Sequence, residues 1–122
     1  MSILGIGTDI IAIDRFAKTV AKHDQKFLDK IFTRQEQDYC NRHSDPIPFF
    51  AARFSAKEAI SKALGCGLGE KLTFLDMEIV KDAAGKPHVI LSKTASERFN
   101  HPKIHLSLSH CKQYATATAI AL

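Results

Sequence analysis

Apolar and polar positions change their period along the chain, from helical spacing in the first half to alternation in much of the second. Ile3 to Ile13 reads as a strand interrupted by glycines. Gly5 and Gly7 stand two apart and so share a strand face, where a missing Cβ lets another backbone or a ligand come close. Asp9 follows them among apolar residues, as either a helix N-cap or a site residue. Asp14 suits the N-cap of a helix from about residue 15 into the low twenties. Ile13, Phe16 and Val20 would face the core, and Arg15, Lys18, Lys22 and Lys26 form a basic stripe. Gln25 to Phe32 places Phe27, Leu28 and Ile31 at helical spacing. Thr33-Arg34-Gln35-Glu36 is a capping box that opens a helix toward about residue 43.

After the break Ser44-Asp45-Pro46-Ile47-Pro48, a longer helix begins near Pro48, runs through Leu64 and ends at Gly65. Gly65-Cys66-Gly67-Leu68-Gly69 is either a connector or a loop whose bare backbone approaches a phosphate. It lacks the residue order of a P-loop, whose glycines precede the helix. Phe74 to Val80 then alternates as a strand, Asp82 to Pro87 turns, and His88 to Leu91 returns as the second arm of a hairpin. Ser92 caps a helix through about Asn100. Lys103 to Ser109 and Tyr114 to Leu122 are two more strands. Strand, helices, hairpin, helix and hairpin in that order make an α+β domain, with residues 1–122 read as one unit.

Composition narrows the functional classes. An apolar share of 45% and a charged share of 25% are those of an ordinary globular protein. No apolar run approaches the ~20 residues that span a bilayer, and the N-terminus lacks a signal-peptide pattern, so no membrane role is expected. Three cysteines without metal spacing or an even count fit a reducing, cytoplasmic setting. The formal net charge of +4 suits an anionic partner. No nucleic-acid motif accompanies that charge, which places nucleic acid low among the partners.

The chemistry concentrates on the long helix, in Arg53-Phe54-Ser55-Ala56-Lys57-Glu58-Ala59-Ile60-Ser61-Lys62-Ala63. At helical period Arg53, Lys57 and Ser61 form one stripe, and Phe54, Glu58 and Lys62 the next. The small residues between them suit close packing, with the charges presented to a cleft. The carboxylates Asp9 and Glu58 come from different elements, and cations surround Glu58. Together they suit a site that holds Mg²⁺ against a pyrophosphate, because Mg²⁺ takes one or two carboxylates and completes its shell with water and phosphate.

Gly5-Ile6-Gly7-Thr8-Asp9-Ile10 and Arg53-Phe54-Ser55-Ala56-Lys57-Glu58-Ala59 resemble the two signature motifs of the holo-acyl-carrier-protein synthases, the small bacterial-type 4′-phosphopantetheinyl transferases. Gly85-Lys86-Pro87, Leu106-Ser107-Leu108-Ser109-His110 and Tyr114-Ala115-Thr116-Ala117 resemble the same family, so the likeness covers essentially the whole chain. The resemblance implies a 4′-phosphopantetheinyl transferase-like fold, with a long central helix on a small, mostly antiparallel sheet. It implies transfer of the phosphopantetheine arm of coenzyme A to a serine of apo acyl carrier protein, in fatty acid biosynthesis, with Mg²⁺ as cofactor. By the same resemblance Asp9 and Glu58 ligate the metal, and Lys62 stabilises the phosphoryl group or the leaving phosphate. Arg53, Lys57, Ser61 and Gly65 would line the coenzyme A channel. Lys86 and Pro87 would lie near the adenine, and His110 near the 3′-phosphate. A homotrimer with sites between subunits is implied, as is docking of the acidic carrier on Arg15, Lys18 and Lys22. Cys66 stands where the family pattern has threonine. The general base is left open among Glu58, Asp9 and a metal-bound water. The rival reading is a non-catalytic basic module that docks acidic carrier proteins.

Overall fold

The two glycines of the first strand mark where backbone meets backbone. The structure, a computed structural model, describes residues 2–122. Strand β1 (Gly5–Ala12) lies directly on helix α3 (Ile47–Ala63). A Cβ on Gly5 would stand 1.9 Å from the Ala63 carbonyl oxygen, and one on Gly7 would stand 1.8 Å from that of Ala59. Two strand residues advance about 6.8 Å and four helical residues about 6 Å, so the two elements run in step. Gly5 faces Ala63, Gly7 faces Ala59, and Asp9 meets Ser55.

Strand β5 (Tyr114–Ala121) fills the centre of an antiparallel sheet ordered β1-β5-β4, with β4 at Ile104–His110. Its register pairs Gly7 with Ala119 and Asp9 with Ala117 on one side, and Leu106 with Ala119 on the other. Ala115, Ala117, Ala119 and Ala121 all point inward and are buried, as are Ala56, Ala59, Ile60 and Ala63 of α3. Small residues on both surfaces bring sheet and helix unusually close. The outer face of the sheet is uncovered, with Ile6 63% and Ile10 65% exposed. A second antiparallel pair, β2 (Met77–Lys81) and β3 (Pro87–Leu91), forms the hairpin. Helix α4 (Lys93–Arg98) follows, its N-terminus capped by the Ser92 hydroxyl, which accepts from Ala95 N at 3.1 Å.

Helix α1 (Ile13–Ile31) joins the two helical pieces expected before residue 33, with a kink at Asp24, φ 52° and ψ −142°. The φ is positive, but the ψ lies outside the left-handed helical well that aspartate enters readily, so the kink holds the backbone in a conformation usually left to glycine. The helix starts one residue before Asp14, so Asp14 is not its N-cap. Its carboxylate sits instead in the first turn, where it complements the helix dipole. The Thr33–Glu36 capping box forms as read and opens α2 (Arg34–Asn41). A single 3-10 turn, Phe74–Asp76, replaces the first part of the expected strand. Thr73 and Asp76 close it, with Thr73 N donating to Asp76 Oδ2 at 2.9 Å. A second core, around Phe16, Phe32, Phe50 and Ile31, lies under α1 and α2.

Candidate active site

Asp9 owes its position to the strand–helix register. Its Oδ2 accepts from the Ser55 hydroxyl at 2.7 Å, and its Oδ1 lies 3.4 Å from the Lys62 ammonium. Lys62 also donates to the Thr8 carbonyl at 2.9 Å. The Thr116 hydroxyl on β5 donates to the Asp9 carbonyl at 2.8 Å, which ties the strand at this residue. The aspartate is thus a mid-strand side chain held between two residues of one helix face, two turns apart, and not a helix cap.

Glu58 is half-buried on the column of α3 that also carries Phe54 and Lys62. Burial raises its pKa above the usual glutamate value, the negative charge of Asp9 raises it further, and Lys62 opposes both. Two carboxylates close enough to repel, with one ammonium beside them, form an anionic pair with a cation at its edge. Among the described residues no group of three or more His, Cys, Asp or Glu side chains is arranged to hold a metal. Two hard carboxylates fit Mg²⁺, which commonly takes only one or two protein ligands and leaves the rest of its octahedron to water and substrate phosphate.

The charged stripe Arg53–Lys57–Ser61 is buried along its length, and only its Arg53 end borders a cavity. Arg53 is 2% exposed, Lys57 0% and Ser61 1%. Arg53 stacks its guanidinium over the Tyr39 ring at 4.1 Å, and its buried Nε has no hydrogen-bond partner. A cavity of about 280 Å³ lies there, lined by Arg53, Phe49, Lys81, Ser109 and His110. Arg53 and His110, from separate parts of the chain, therefore share one cavity. His110 meets Phe49 edge-on at 5.3 Å, and His43 stacks on the same Phe49 ring at 3.5 Å. Lys81 and His43 carried no role in the sequence, since neither belongs to a local pattern. Pro87 is the register partner of Lys81, which places Lys86 and Pro87 at the turn end of this hairpin.

Lys57 has other partners. Its ammonium donates to the Glu36 carboxylate at 2.7 Å and to the carbonyls of Ile31 at 2.6 Å and Phe74 at 3.1 Å. Burial lowers its pKa against the opposing charge and hydrogen bond of Glu36. The expected place of Lys57 in a ligand channel is therefore corrected to a buried ion pair. Helical spacing shows which residues share a face, but not which face the rest of the chain covers. Ser61 turns its hydroxyl back to the Glu58 carbonyl at 2.7 Å.

The glycine loop after α3 is a helix terminator rather than a bare cradle. Gly65, at φ +76°, donates its N–H to Lys62 O at 3.0 Å. The amides of Cys66 and Gly67 both donate to Ser61 O, and that of Gly69 donates to Leu72 O. The Cys66 thiol is pushed up in pKa by burial.

On the side of β1 toward α1, a cavity of about 350 Å³ opens between Ile10, Arg15, Phe16, Phe27 and Phe54. Arg15, Lys18 and Lys22 are exposed on α1, in the segment before the kink. A basic edge thus borders an apolar hollow whose wall includes Phe54, one turn before Glu58.

A helix laid on an antiparallel sheet, with a carboxylate from each meeting beside a lysine, places the chain in a known group. A profile of the 4′-phosphopantetheinyl transferase superfamily matches residues 5–119, and the chain belongs to that family. Among curated relatives, the holo-[acyl-carrier-protein] synthase of Chlamydia pneumoniae is 49% identical over 122 residues, covering 100% of this chain and 99% of the relative. The protein of the same name from Protochlamydia amoebophila is 47% identical, covering 96% of each. The crystal structure of holo-[acyl-carrier-protein] synthase from Neisseria meningitidis superposes with a TM-score of 0.93 at 31% identity, covering 99% of both chains. The Helicobacter pylori synthase in complex with coenzyme A gives 0.86 at 36% identity, over 96% of this chain and 99% of that one. The expected α+β architecture, with a long central helix on a small antiparallel sheet, agrees with these neighbours.

Proposed function

We propose that this protein is a holo-[acyl-carrier-protein] synthase, which moves the 4′-phosphopantetheine group of coenzyme A to a serine of apo acyl carrier protein. The observation that carries the reading is the meeting of Asp9, Glu58 and Lys62 in one register-fixed group. Relatives at 49% and 47% identity that bear this name, and a neighbour with coenzyme A bound, support it.

In the reaction the serine hydroxyl oxygen forms a bond to the phosphorus that carries the pantetheine arm. The bond from that phosphorus to the bridging pyrophosphate oxygen breaks, and adenosine 3′,5′-bisphosphate leaves with the electron pair. Asp9 and Glu58 would hold Mg²⁺, which when bound supplies charge neutralisation on the pyrophosphate. Lys62, half-exposed beside Asp9, offers its ammonium to the phosphate oxygens and stabilises charge that grows in the transition state. Phosphoryl transfer depends mainly on such positioning and neutralisation. Of the two carboxylates Glu58 is the better matched to accept the serine proton. Both oxygens of Asp9 already have partners, whereas the raised pKa of Glu58 brings it nearer to neutrality.

The cavity of Arg53, Lys81 and His110 suits the phosphorylated adenosine end of coenzyme A, with Lys86 and Pro87 near the base. Arg15, Lys18 and Lys22, with the apolar hollow beside them, suit an acidic carrier. The bare outer face of the β1-β5-β4 sheet, with Ile6, Ile10 and Tyr114 exposed, supports a homotrimer whose sites lie between subunits. A cytoplasmic setting goes with the three free thiols. Among the described residues no helix is long and apolar enough to cross a membrane. The test is incubation with apo carrier protein, coenzyme A and Mg²⁺, followed by mass spectrometry of the carrier. Addition of one phosphopantetheine is expected. No adduct on any of several bacterial-type carriers would refute the reading.

A further inference from the structure

Lys57 precedes Glu58 in the chain, yet its side chain has no part in the group that Glu58 belongs to. An ammonium has three N–H donors, and Lys57 places them on Ile31 O, Glu36 Oε1 and Phe74 O. None is left for a phosphate. Glu36 is engaged as fully. Its Oε1 also accepts from Thr33 N at 2.8 Å, and its Oε2 accepts from Ile79 N at 2.8 Å. One buried ion pair therefore joins the last residue of α1, the first turn of α2, the turn before β2, β2 itself and α3.

The point joined on α1 bears on carrier docking. One helical turn before Ile31 stands Phe27, whose ring lies 5.9 Å from Phe16 and 6.4 Å from Phe54. Those three rings, with Ile10 and Arg15, line the hollow beside the basic stripe. The positive-φ Asp24 interrupts the helical run, so helix continuity alone does not fix the α1 segment that follows it. Lys57 holds its far end.

We propose that Lys57 is a positioning residue for carrier docking: its ammonium pins the end of α1 to α3 and so sets the apolar hollow, without touching coenzyme A. The inference rests on the transferase reading and reassigns a lysine of the signature motif from ligand contact to frame.

The test uses the full chain with Lys57→Met and, from the other side of the pair, Glu36→Gln. Transfer is measured while carrier and coenzyme A are varied separately, beside calorimetric titration of coenzyme A with Mg²⁺ and a thermal melt. Both variants are expected to raise KM for the carrier on the order of tenfold or more, as a displaced docking element does. KM and Kd for coenzyme A should stay within about twofold. A fall in coenzyme A affinity with Lys57→Met alone would make the lysine a ligand contact and overturn the proposal. So would a loss spread evenly over all parameters in step with the folded fraction, or an unchanged carrier KM. If Lys57→Met does not fold, Glu36→Gln decides, because it keeps the side-chain volume and stands on α2, away from the carboxylate group. Wild-type protein that loads no carrier refutes the transferase reading itself, and that result is seen before any variant is made.

Discussion

Replacing Gly7 by alanine tests the register that places Asp9. The added Cβ would lie 1.8 Å from the Ala59 carbonyl oxygen, 2.7 Å from Ala63 N and 2.8 Å from Ala59 C. All three are helix backbone atoms, so no side-chain rotation relieves the clash. Ordinary contact begins at 3.4 Å, and β1 must lift from α3 to reach it. Overpacking of this kind costs typically about 1–3 kcal/mol and sometimes more. A backbone that cannot yield puts Gly7→Ala at about 3 kcal/mol or above. For a domain of this size that lowers the melting temperature by roughly 10 °C. The lift also pulls Asp9, two residues on, away from Ser55, whose hydroxyl it now accepts from at 2.7 Å. A misplacement of about 1 Å at a catalytic group can lower turnover on the order of 10²-fold. Differential scanning calorimetry reads the first effect, and carrier loading well below the variant's melting point reads the second. Gly69→Ala is the control, since a Cβ there meets nothing within 4 Å and its φ is not positive. Gly7→Ala protein that melts within about 2 °C of wild type and turns over normally would refute the close approach and the placement of Asp9 built on it.

Other outcomes follow from the same geometry. The raised pKa of Glu58 should fall in Asp9→Asn, which removes a like charge, and rise in Lys62→Met, which removes the opposing cation; carboxyl NMR titration of the metal-free protein reads both. Because the folded pKa lies above the unfolded 4.5, Glu58 contributes stability that is present below that value and lost as pH rises through the raised one. Asp9→Asn and Glu58→Gln should each lower turnover by about 10²-fold or more and abolish the Mg²⁺-dependent part of coenzyme A binding, with melting nearly unchanged. Reversal of Arg15, Lys18 and Lys22 to glutamate should cut kcat/KM for the carrier and flatten its salt dependence, with coenzyme A binding unaltered. Ile6→Glu with Ile10→Glu should shift the sedimentation mass toward a monomer if the bare sheet face is a subunit contact.

Local patterns carried the elements well. The Thr33–Glu36 capping box and the Gly65 terminator depend on neighbours in sequence, the pairing of Gly5 with Gly7 on one strand face marked a close approach without naming its partner, and the structure shows all three. The site was only partly legible. Asp9 could be either cap or site residue until β5 paired with β1 and fixed it mid-strand. Arg53 and Lys57 read as an open stripe because a helix built of small residues carries almost no signal for its covered side. Their burial comes from Tyr39, Glu36 and Phe74, which lie far away in sequence. Lys81 and His43 were invisible for the same reason. The kink at Asp24 split one helix into two readings, since the periodicity breaks where the backbone does.

The packing of β1 on α3 has a consequence for how the carboxylates can vary. Strand and helix act as two combs with matched teeth, and the spacing of Asp9 from Ser55 and Lys62 is counted in backbone repeats rather than in rotamers. Side chains on the outer face of the sheet can change without altering that count. A single residue inserted between Gly7 and Asp9 would turn the carboxylate to the opposite face, while one inserted between Ser55 and Glu58 would swing Glu58 and Lys62 about 100° around the helix. Tolerance to substitution and intolerance to insertion should therefore coexist within the same eight-residue strand.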